Sequence, residues 1–466
     1  MMADLDAPGG GGRHIDVVAI ETPSLGNRSY LVVAGAEAFV VDAQRDIDRV
    51  LWIAKKRGVA IRHVFETHVH NDYVSGGLAL AKETCAAYHV HEADPVKFER
   101  DGLVDGDVVE VGAGVRVRAV GTPGHTFTHL SYVVEVAGEP VAVFSGGSLL
   151  YGTTGRPDLL GPAHTHALAR AQYASARRLA DELPDDVEVY PTHGFGSFCA
   201  AAQTKAVTTG STIGRERIAN PVLTLDEGAY VGNLLAGLDA WPAYYAHIAP
   251  RNLAGPDAPD LSPLRPAGAG EVRRRVEDGE WVVDLRSRRA YSAGHVPGTL
   301  NFGLEKNFAT YLGWLIPWDT PLTLLAESPQ DVARAQRELA RIGIDRPAAA
   351  AVGGPADWSA QPPAGIRNAT FAQLSEAHRQ RDVVVLDVRM EQEWRDTHIG
   401  GALHIPLHEL PERIDQVPGG EVWVHCESGY RSSIAASILA RAGRQVIAVD
   451  EDYAAAVHSG LPIVAA

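Results

Sequence analysis

The chain has 466 residues, of which 45% are hydrophobic and 21% are charged, a composition typical of a folded globular protein. A chain of this length is longer than a domain with a single hydrophobic core, so about two to four domains are predicted. The formal net charge is -16 and no run is rich in Lys or Arg, so nucleic acid is not expected as a partner.

No apolar stretch reaches the roughly 18 residues of a membrane span, and the first residues lack the basic and apolar regions of a signal peptide. We therefore expect a cytoplasmic protein with no membrane partner. The only cysteines are Cys85, Cys199 and Cys426, which excludes a disulfide framework. Self-association into a homo-oligomer is compatible with this sequence.

From residue 15 to about 250, short β-rich runs alternate with helical stretches. The runs predicted as strands are 29–33, 38–42, 63–67, 115–120, 130–136 and 141–145, and the main helical stretch is 166–183. A Pro- and Gly-rich segment at 249–259 then breaks the periodicity, which predicts a domain boundary.

Histidines and an aspartate follow these predicted strands. His68 and His70 come directly after the strand at 63–67, separated by one residue. Imidazoles at this spacing can converge on one ion, and a third from a distant turn completes a set of ligands. The candidate side chains, in chain order, are His68, His70, Asp72, His125 and His193. The sequence therefore predicts a metal site, although most of the 19 histidines are expected to have no such role.

Beyond the boundary, two similar stretches follow one another. Residues 281–286 and 293–298 recur as 384–389 and 396–401, and residues 325–328 and 339–343 recur as 425–428 and 439–443. Each repeat is predicted to be a small α/β domain with a mostly parallel sheet. The predicted domains are 15–250, 265–360 and 367–466. This alignment places Ala326 at the position of Cys426.

Cys426 lies in the loop between a predicted strand at 421–425 and a predicted helix at 432–443. Backbone N–H groups of such a loop, together with the positive end of the helix dipole, stabilise a thiolate. Arg431 adds a fixed cation. We therefore predict a nucleophilic thiol, not a buried structural one. The residues expected to form the loop that cradles this thiol are Glu427, Ser428, Gly429 and Tyr430.

These motifs of residues 367–466 resemble the rhodanese family. The residues that carry the resemblance are 386–389, 393–394, 398–402 and 426–431. It implies a sulfurtransferase with Cys426, Arg431 and Asp387 as catalytic residues, and with low-molecular-weight thiols or persulfides, sulfite or thiosulfate as partners. Residues 427–430 separate the cysteine from the arginine, one fewer than in related phosphatases, which favours sulfur chemistry. The first repeat resembles the same family and is predicted to be inactive because it carries Ala326.

Residues 15–250 resemble the metallo-β-lactamase fold, and within it the persulfide dioxygenase and glyoxalase-II-like branch. The motifs that carry this resemblance are 121–125, 129–132, 155–159 and 193–199. It implies an αββα sandwich ahead of the two α/β repeats. It also implies His68, His70 and His125 as first-site ligands, with Asp72, His193 and Tyr73 at a second site or in the substrate pocket.

Two departures from that family affect the metal. Tyr73 stands where the family has a histidine, and Gly147 stands where it has an aspartate that ligates iron or bridges two metals. We therefore expect at most one metal ion, iron or zinc, which need not bind tightly. Gly147→Asp is expected to raise metal affinity if the strand end has room for a side chain. Cys199 is expected to be a buried structural cysteine.

The leading hypothesis is an intracellular sulfur-handling enzyme. In it, the N-terminal domain binds or oxidises a low-molecular-weight persulfide, and Cys426 transfers sulfane sulfur. One alternative is a zinc-dependent hydrolase of a thioester or related ester. Another is an N-terminal docking scaffold with only the C-terminal domain reactive. Iron in the purified protein favours persulfide oxidation by the N-terminal domain, and zinc favours the hydrolase. Sulfur transfer without bound metal favours the docking scaffold.

Overall fold

The computed structural model of the chain describes residues 15–201, 210–305 and 307–465. The chain divides into two compact units, one within Met1–Leu238 and Ala246–Ala258, the other within Asp239–Tyr245 and Pro259–Ala466. Among the described residues, none of the helices combines the length and the apolar character that crossing a bilayer requires.

Two six-stranded sheets form the first unit, ordered β1-β2-β3-β4-β5-β6 and β12-β11-β10-β9-β8-β7. The strands are β1 (Asp16–Thr22), β2 (Asn27–Ala34), β3 (Glu37–Val41), β4 (Ala60–Phe65), β5 (Ala87–His91), β6 (Asp101–Leu103), β7 (Val108–Glu110), β8 (Val115–Gly121), β9 (Leu130–Val136), β10 (Glu139–Gly146), β11 (Glu188–Pro191) and β12 (Ser211–Thr212). Each of the six strands predicted from the β-rich runs lies on one of these, which confirms those predictions.

Helices cover the outer faces of the two sheets. They are α1 (Asp48–Arg57), α2 (Gly77–Thr84), α3 (Pro162–Glu182), α4 (Ile213–Ala219), α5 (Pro221–Thr224), α6 (Glu227–Ala236) and α7 (Tyr245–Ala254). Apolar residues of α1 and α2 pack against the first sheet, and those of α3 and α6 pack against the second. Between the sheets, aromatic side chains such as Phe39, Phe65 and Phe144 meet edge to face. This is the predicted αββα sandwich.

The second unit contains two repeats of the same kind. Its strands are β13 (Trp281–Asp284), β14 (Leu300–Asn301), β15 (Leu322–Ala326), β16 (Ala349–Val352), β17 (Arg367–Ala369), β18 (Val384–Asp387), β19 (His398–Ile399), β20 (Leu403–His404), β21 (Glu421–His425), β22 (Gln445–Val449) and β23 (Ile463–Val464). Its helices are α8 (Ala269–Glu277), α9 (Arg288–Ala293), α10 (Phe308–Leu315), α11 (Pro329–Arg341), α12 (Pro355–Trp358), α13 (Phe371–Gln380), α14 (Glu391–Asp396), α15 (Leu410–Arg413) and α16 (Tyr430–Arg441). Short 3₁₀ turns lie at Leu407–Glu409, Ile414–Gln416 and Tyr453–His458.

The main sheets of the two repeats are parallel, as predicted, and are ordered β14-β13-β15-β16 and β17-β22-β21-β18-β20. Asp284 lies opposite Leu325 across β13 and β15, and Asp387 lies opposite His425 across β18 and β21. Because the two registers match, the residues after Leu325 and His425 are equivalent. Ala326 therefore occupies the strand-end position that Cys426 occupies in the second repeat.

Asn301 joins the two repeats at a buried contact. Its Nδ2 donates to the backbone carbonyls of Asp284 and Arg286 at 3.2 and 3.1 Å, and its Oδ1 accepts from Ser433 Oγ of the second repeat at 2.7 Å. Its backbone N–H donates to Ser437 Oγ at 3.0 Å. A side chain that satisfies partners in both repeats holds α16 against the first repeat.

We expect Asn301→Ala to lower the free energy of unfolding of the second unit by about 1–3 kcal/mol, because Ser433 and two buried carbonyls lose their partner. Tryptophan fluorescence during urea unfolding is a suitable measurement, since Trp52 is the only one of the eight tryptophans in the first unit. The control is Gln445→Ala, at an exposed position of β22. Equal unfolding midpoints for the two variants would contradict this role for Asn301.

Candidate metal centre and sulfur site

Four buried histidines meet at one end of the sandwich in the first unit. His68 and His70 follow β4, His125 follows β8 and His193 follows β11. Each is at most 2% exposed, and neighbouring ring centroids lie 4.1 to 5.7 Å apart. The ends of strands from both sheets therefore bring together imidazoles that are far apart in the sequence.

His70 is oriented by two carboxylates. Its Nε2 lies 3.2 Å from Asp42 Oδ1 and 3.2 Å from Glu66 Oε2. Burial alone would lower the pKa of His70, but these carboxylates raise it to about 10. Nδ1 has no hydrogen-bond partner among the described residues. These carboxylates favour the protonated ring. To act as a metal ligand, His70 would have to lose the Nδ1 proton and keep the Nε2 proton toward the carboxylates.

His125 also has an available nitrogen. Its Nδ1 donates to the backbone carbonyl of Arg156 at 2.8 Å, whereas the buried Nε2 has no hydrogen-bond partner in the part of the chain that the structure describes. Burial lowers the pKa of His125 to about 3, so the ring is neutral at physiological pH. Neutral imidazole is the form that binds metals.

His68 and His193 approach each other with their Nε2 atoms 3.4 Å apart. Two nitrogen ligands of one tetrahedral ion, each bonded at about 2.0–2.1 Å, lie about 3.4 Å from each other. The spacing of His68 and His193 therefore fits two ligands of a single ion. The fold and these buried groupings of histidine and aspartate indicate a metal-ion binding site.

The donor atoms are grouped differently from the predicted set of His68, His70 and His125. One group joins His68, His70 and His193, and a second joins His125, His193 and Cys199, with all ligand atoms of a group within 4.8 Å of one another. His193, which the resemblance assigns to a second site or the substrate pocket, is therefore shared by both groups.

The other two predicted pocket residues flank the cluster. Asp72 Oδ2 accepts from Asn27 Nδ2 at 2.8 Å and lies 3.4 Å from His193 Nδ1. Burial alone would raise the pKa of Asp72, but the neighbouring His193 holds that pKa well below its usual range. Tyr73 stacks on the His70 ring at 4.3 Å and donates its hydroxyl to the Asp42 carbonyl at 3.3 Å. Tyr73, which the resemblance assigns to a second site or the substrate pocket, is buried and packs directly against His70.

Gly147 has no room for a side chain. A Cβ atom built on it would lie 2.3 Å from Cδ2 of His125, so the histidine ring fills the space that an aspartate would need. The backbone N–H of Gly147 donates to Nε2 of His129 at 3.0 Å. The condition attached to the sequence prediction for Gly147→Asp is therefore not met, and the dinuclear site of the resembled family does not fit this chain.

Sequence reasoning missed Asp42, Glu66 and His129. Asp42 is buried at the end of β3 with a φ of 54°, and its carboxylate accepts hydrogen bonds from Thr67 N at 2.7 Å, from Thr67 Oγ1 at 2.8 Å and from Thr192 Oγ1. An aspartate as the last residue of an apolar predicted strand was the available signal. His129 begins one of the motifs that carry the family resemblance, at 129–132, but was given no role there, and Glu66 carried no signal beyond its nearness to His68.

In the second unit, Cys426 Sγ accepts hydrogen bonds from the backbone N–H groups of Gly429 at 3.2 Å and Ser432 at 3.3 Å. These groups belong to the first turn of α16, so the sulfur takes the place of a capping oxygen at the positive end of the helix dipole. Gly429 has a φ of 91°, which the loop requires to turn its N–H inward.

The other predicted cradle residues lie around this contact. Glu427 and Ser428 are exposed at the loop surface, and Tyr430 donates its hydroxyl to the Gly303 carbonyl of the first repeat at 2.9 Å. Arg431 forms two hydrogen bonds of 2.6 Å with the carboxylate of Glu393. The guanidinium is thus held in a fixed position by α14.

Asp387, which the resemblance places among the catalytic residues, forms a buried ion pair with Arg389. Its carboxylate accepts from the Nε and Nη2 of Arg389 and lies 3.6 Å from His425 Nε2. Asp284 and Arg286 form the same pair in the first repeat, which has no thiol at Ala326. The pair therefore also forms in the repeat that lacks the nucleophile, where it holds the end of the strand.

Comparison with known proteins agrees with this geometry. The metallo-beta-lactamase superfamily matches residues 24–193, and the rhodanese-like domain matches residues 268–361 and 370–458. The chain is a metallo-beta-lactamase domain fused to two rhodanese-like domains. A crystal structure of a metallo-beta-lactamase from Staphylococcus aureus subsp. aureus COL is similar with a TM-score of 0.65 and 26% identity, over 72% of this chain and 99% of that one.

Curated relatives match the metallo-beta-lactamase domain. Hydroxyacylglutathione hydrolases of Nitrosococcus oceani and Polaromonas sp. are 31% and 32% identical over 36% of this chain. The chain spans 62% of the length of each of these relatives.

We expect Gly147→Asp to leave zinc affinity no higher than in the wild type, because the new side chain must displace the His125 ring. Gly147→Ala is the matched control, since it introduces the same Cβ without a carboxylate. Both variants should lower the thermal midpoint of the metallo-beta-lactamase domain. Competition with a chromophoric chelator measures the affinity. Tighter zinc binding by Gly147→Asp than by the wild type would show that the ring yields and that the aspartate becomes a ligand.

Proposed function

We propose that this protein is a cytoplasmic sulfurtransferase that carries sulfane sulfur as a persulfide on Cys426. The observation that supports the proposal is the pair of backbone N–H groups, from Gly429 and Ser432, that point at the sulfur. Hydrogen bonds to a thiolate and a helix N-terminus favour the deprotonated form, which is the nucleophile in sulfur transfer.

The proposed reaction has two steps. The Cys426 thiolate attacks the outer sulfur of thiosulfate, the sulfur–sulfur bond breaks, and sulfite leaves with the bonding electron pair. A second nucleophile, such as a thiolate or cyanide, then attacks the outer sulfur of the persulfide, and Cys426 leaves as a thiolate. The N–H groups of Gly429 and Ser432 stabilise the thiolate that begins the first step and ends the second.

For the metallo-beta-lactamase domain, we propose a single metal ion, iron or zinc, and a low-molecular-weight thiol or persulfide as ligand. The buried groups of donor atoms around His193 support the ion, and the names of the relatives support a thiol of the glutathione type. A bound ion would supply Lewis acidity for a sulfur or carbonyl group. The residues themselves would orient the ion through Asp42, Glu66 and the Arg156 carbonyl.

A zinc-dependent hydrolase is the second candidate for this domain. It is favoured over oxidation by the absence of a carboxylate at Gly147, because a carboxylate helps to define an iron site for oxygen chemistry. Metal analysis of the purified protein separates the two, together with oxygen uptake on a glutathione persulfide and hydrolysis of a glutathione thioester. Iron with oxygen uptake supports oxidation, and zinc with thioester hydrolysis supports the hydrolase.

We expect Cys426→Ser to abolish thiosulfate:cyanide sulfur transfer with the fold intact, because a hydroxyl cannot carry the persulfide. Cys85→Ser, which removes an exposed thiol of the first unit, is the matched control and should retain transfer. Intact-mass spectrometry after thiosulfate treatment should show one added sulfur on the wild type and on Cys85→Ser. Full transfer by Cys426→Ser would overturn the proposal.

We expect Arg431→Ala to lower kcat/KM for thiosulfate by roughly 10- to 100-fold, the loss of one charge-assisted hydrogen bond, and so less than the loss of the thiol. Glu393→Gln keeps the cation beside the loop and should cost less than Arg431→Ala. Steady-state sulfur transfer by the two variants tests this. Equal losses would mean that the pair of Arg431 and Glu393 only holds the loop and that the cation does not assist the anionic substrate.

A further inference from the structure

Cys199 lies against the histidine cluster, although sequence reasoning treats it as a structural residue. Its side chain is buried, and its sulfur belongs to a group with ring nitrogens of His125 and His193, all within 4.8 Å of one another. Imidazole nitrogen and cysteine thiolate are both ligand types that zinc binds in proteins.

One backbone segment fixes both His125 and Cys199. The carbonyl of Arg156 accepts from His125 Nδ1 at 2.8 Å, and the N–H of the same residue donates to the Cys199 carbonyl at 2.9 Å. The Cys199 N–H in turn donates to Ser197 Oγ at 3.1 Å. The thiol therefore keeps a defined position beside the ring.

In both His125 and His193, Nδ1 contacts a neighbouring group of the protein and Nε2 makes no hydrogen bond to the backbone. His125 Nε2 is fully buried without a hydrogen-bond partner among the described residues, an arrangement that costs free energy unless a ligand binds. His193 Nδ1 lies 3.0 Å from Asn27 Oδ1, which leaves its Nε2 for the interior of the cluster. An ion between these nitrogens and the sulfur would satisfy the buried Nε2.

Charge favours a thiolate at this place. The family that the chain resembles has an aspartate at position 147, and here the His125 ring occupies that space. The buried carboxylates near the cluster face ring nitrogens of His70 and His193, so an ion held only by neutral imidazoles would have no anionic ligand of its own. A thiolate supplies the missing negative charge and, as a soft ligand, selects zinc-like ions over magnesium or calcium.

We propose that His125, His193 and Cys199 form a metal site that binds a borderline-soft divalent ion of the zinc class, with the Cys199 thiolate as its anionic ligand. This inference rests on the metal-binding part of the proposed function and is independent of sulfur transfer at Cys426. Three protein ligands leave a fourth position open, as in catalytic zinc sites.

Cobalt(II) titration of the metal-free full chain tests the site, because a cysteine thiolate on cobalt gives a charge-transfer band in the near ultraviolet that imidazoles do not give. The wild type should show the band, and so should the control variants Cys85→Ser and Cys426→Ser. Cys199→Ser should lose the band. Circular dichroism and thermal unfolding verify that the variant is folded.

X-ray absorption of the zinc-loaded wild type gives a second measurement that needs no variant. One sulfur at about 2.3 Å with nitrogens at about 2.0–2.1 Å is expected. A cobalt band that persists in Cys199→Ser, or a zinc shell without sulfur, would overturn the inference and leave the proposed histidine site standing. If the wild type bound neither cobalt nor zinc, both this inference and the proposed histidine site would be overturned. Thiosulfate:cyanide transfer by the same preparation tests the proposed role of Cys426 separately.

Discussion

The buried carboxylate of Asp42 connects three strand ends of the metallo-beta-lactamase domain. It lies at the end of β3 and accepts hydrogen bonds from Thr67 at the end of β4 and from Thr192 at the end of β11, which belongs to the other sheet. It also faces Nε2 of His70. A buried carboxylate is costly unless every partner is in place. The same contacts that compensate this cost therefore fix the segments that carry His68, His70 and His193.

The two candidate sites of this protein depend on different kinds of groups. The metal centre is made of side chains, so one substitution changes it, and glycine at position 147 lets the His125 ring move into the space of a carboxylate. The sulfur site is made of backbone N–H groups, so it depends on the path of the chain between β21 and α16. In the first repeat, Ser328 caps α11 with its own hydroxyl and Pro329 begins the helix. That helix end has its capping group already and carries no thiol at Ala326.

The first rhodanese-like repeat contacts the loop of the second repeat that carries Cys426. Tyr430 donates to the carbonyl of Gly303, and Asp450, which lies next to Gly429, pairs with Arg288 of the first repeat at 2.6 Å. A Cβ on Gly429 would lie 2.5 Å from Asp450 Oδ1, so the close approach and the positive φ both require glycine there. The loss of a nucleophile in the first repeat is therefore compatible with its retention as a packing partner.

The sequence by itself determined the order of domains, the six central strands, the repeat and its alignment of Ala326 with Cys426. These features depend on local periodicity and on short motifs, which are properties of neighbouring residues. Only the tertiary structure decided which candidate donor atoms lie near one another, because His193 and Cys199 approach His125 through folding and not through spacing. It also decided that Asp387 pairs with Arg389 and that no side chain fits at Gly147. Such contacts depend on where separate strand ends meet, and a linear pattern does not record that position.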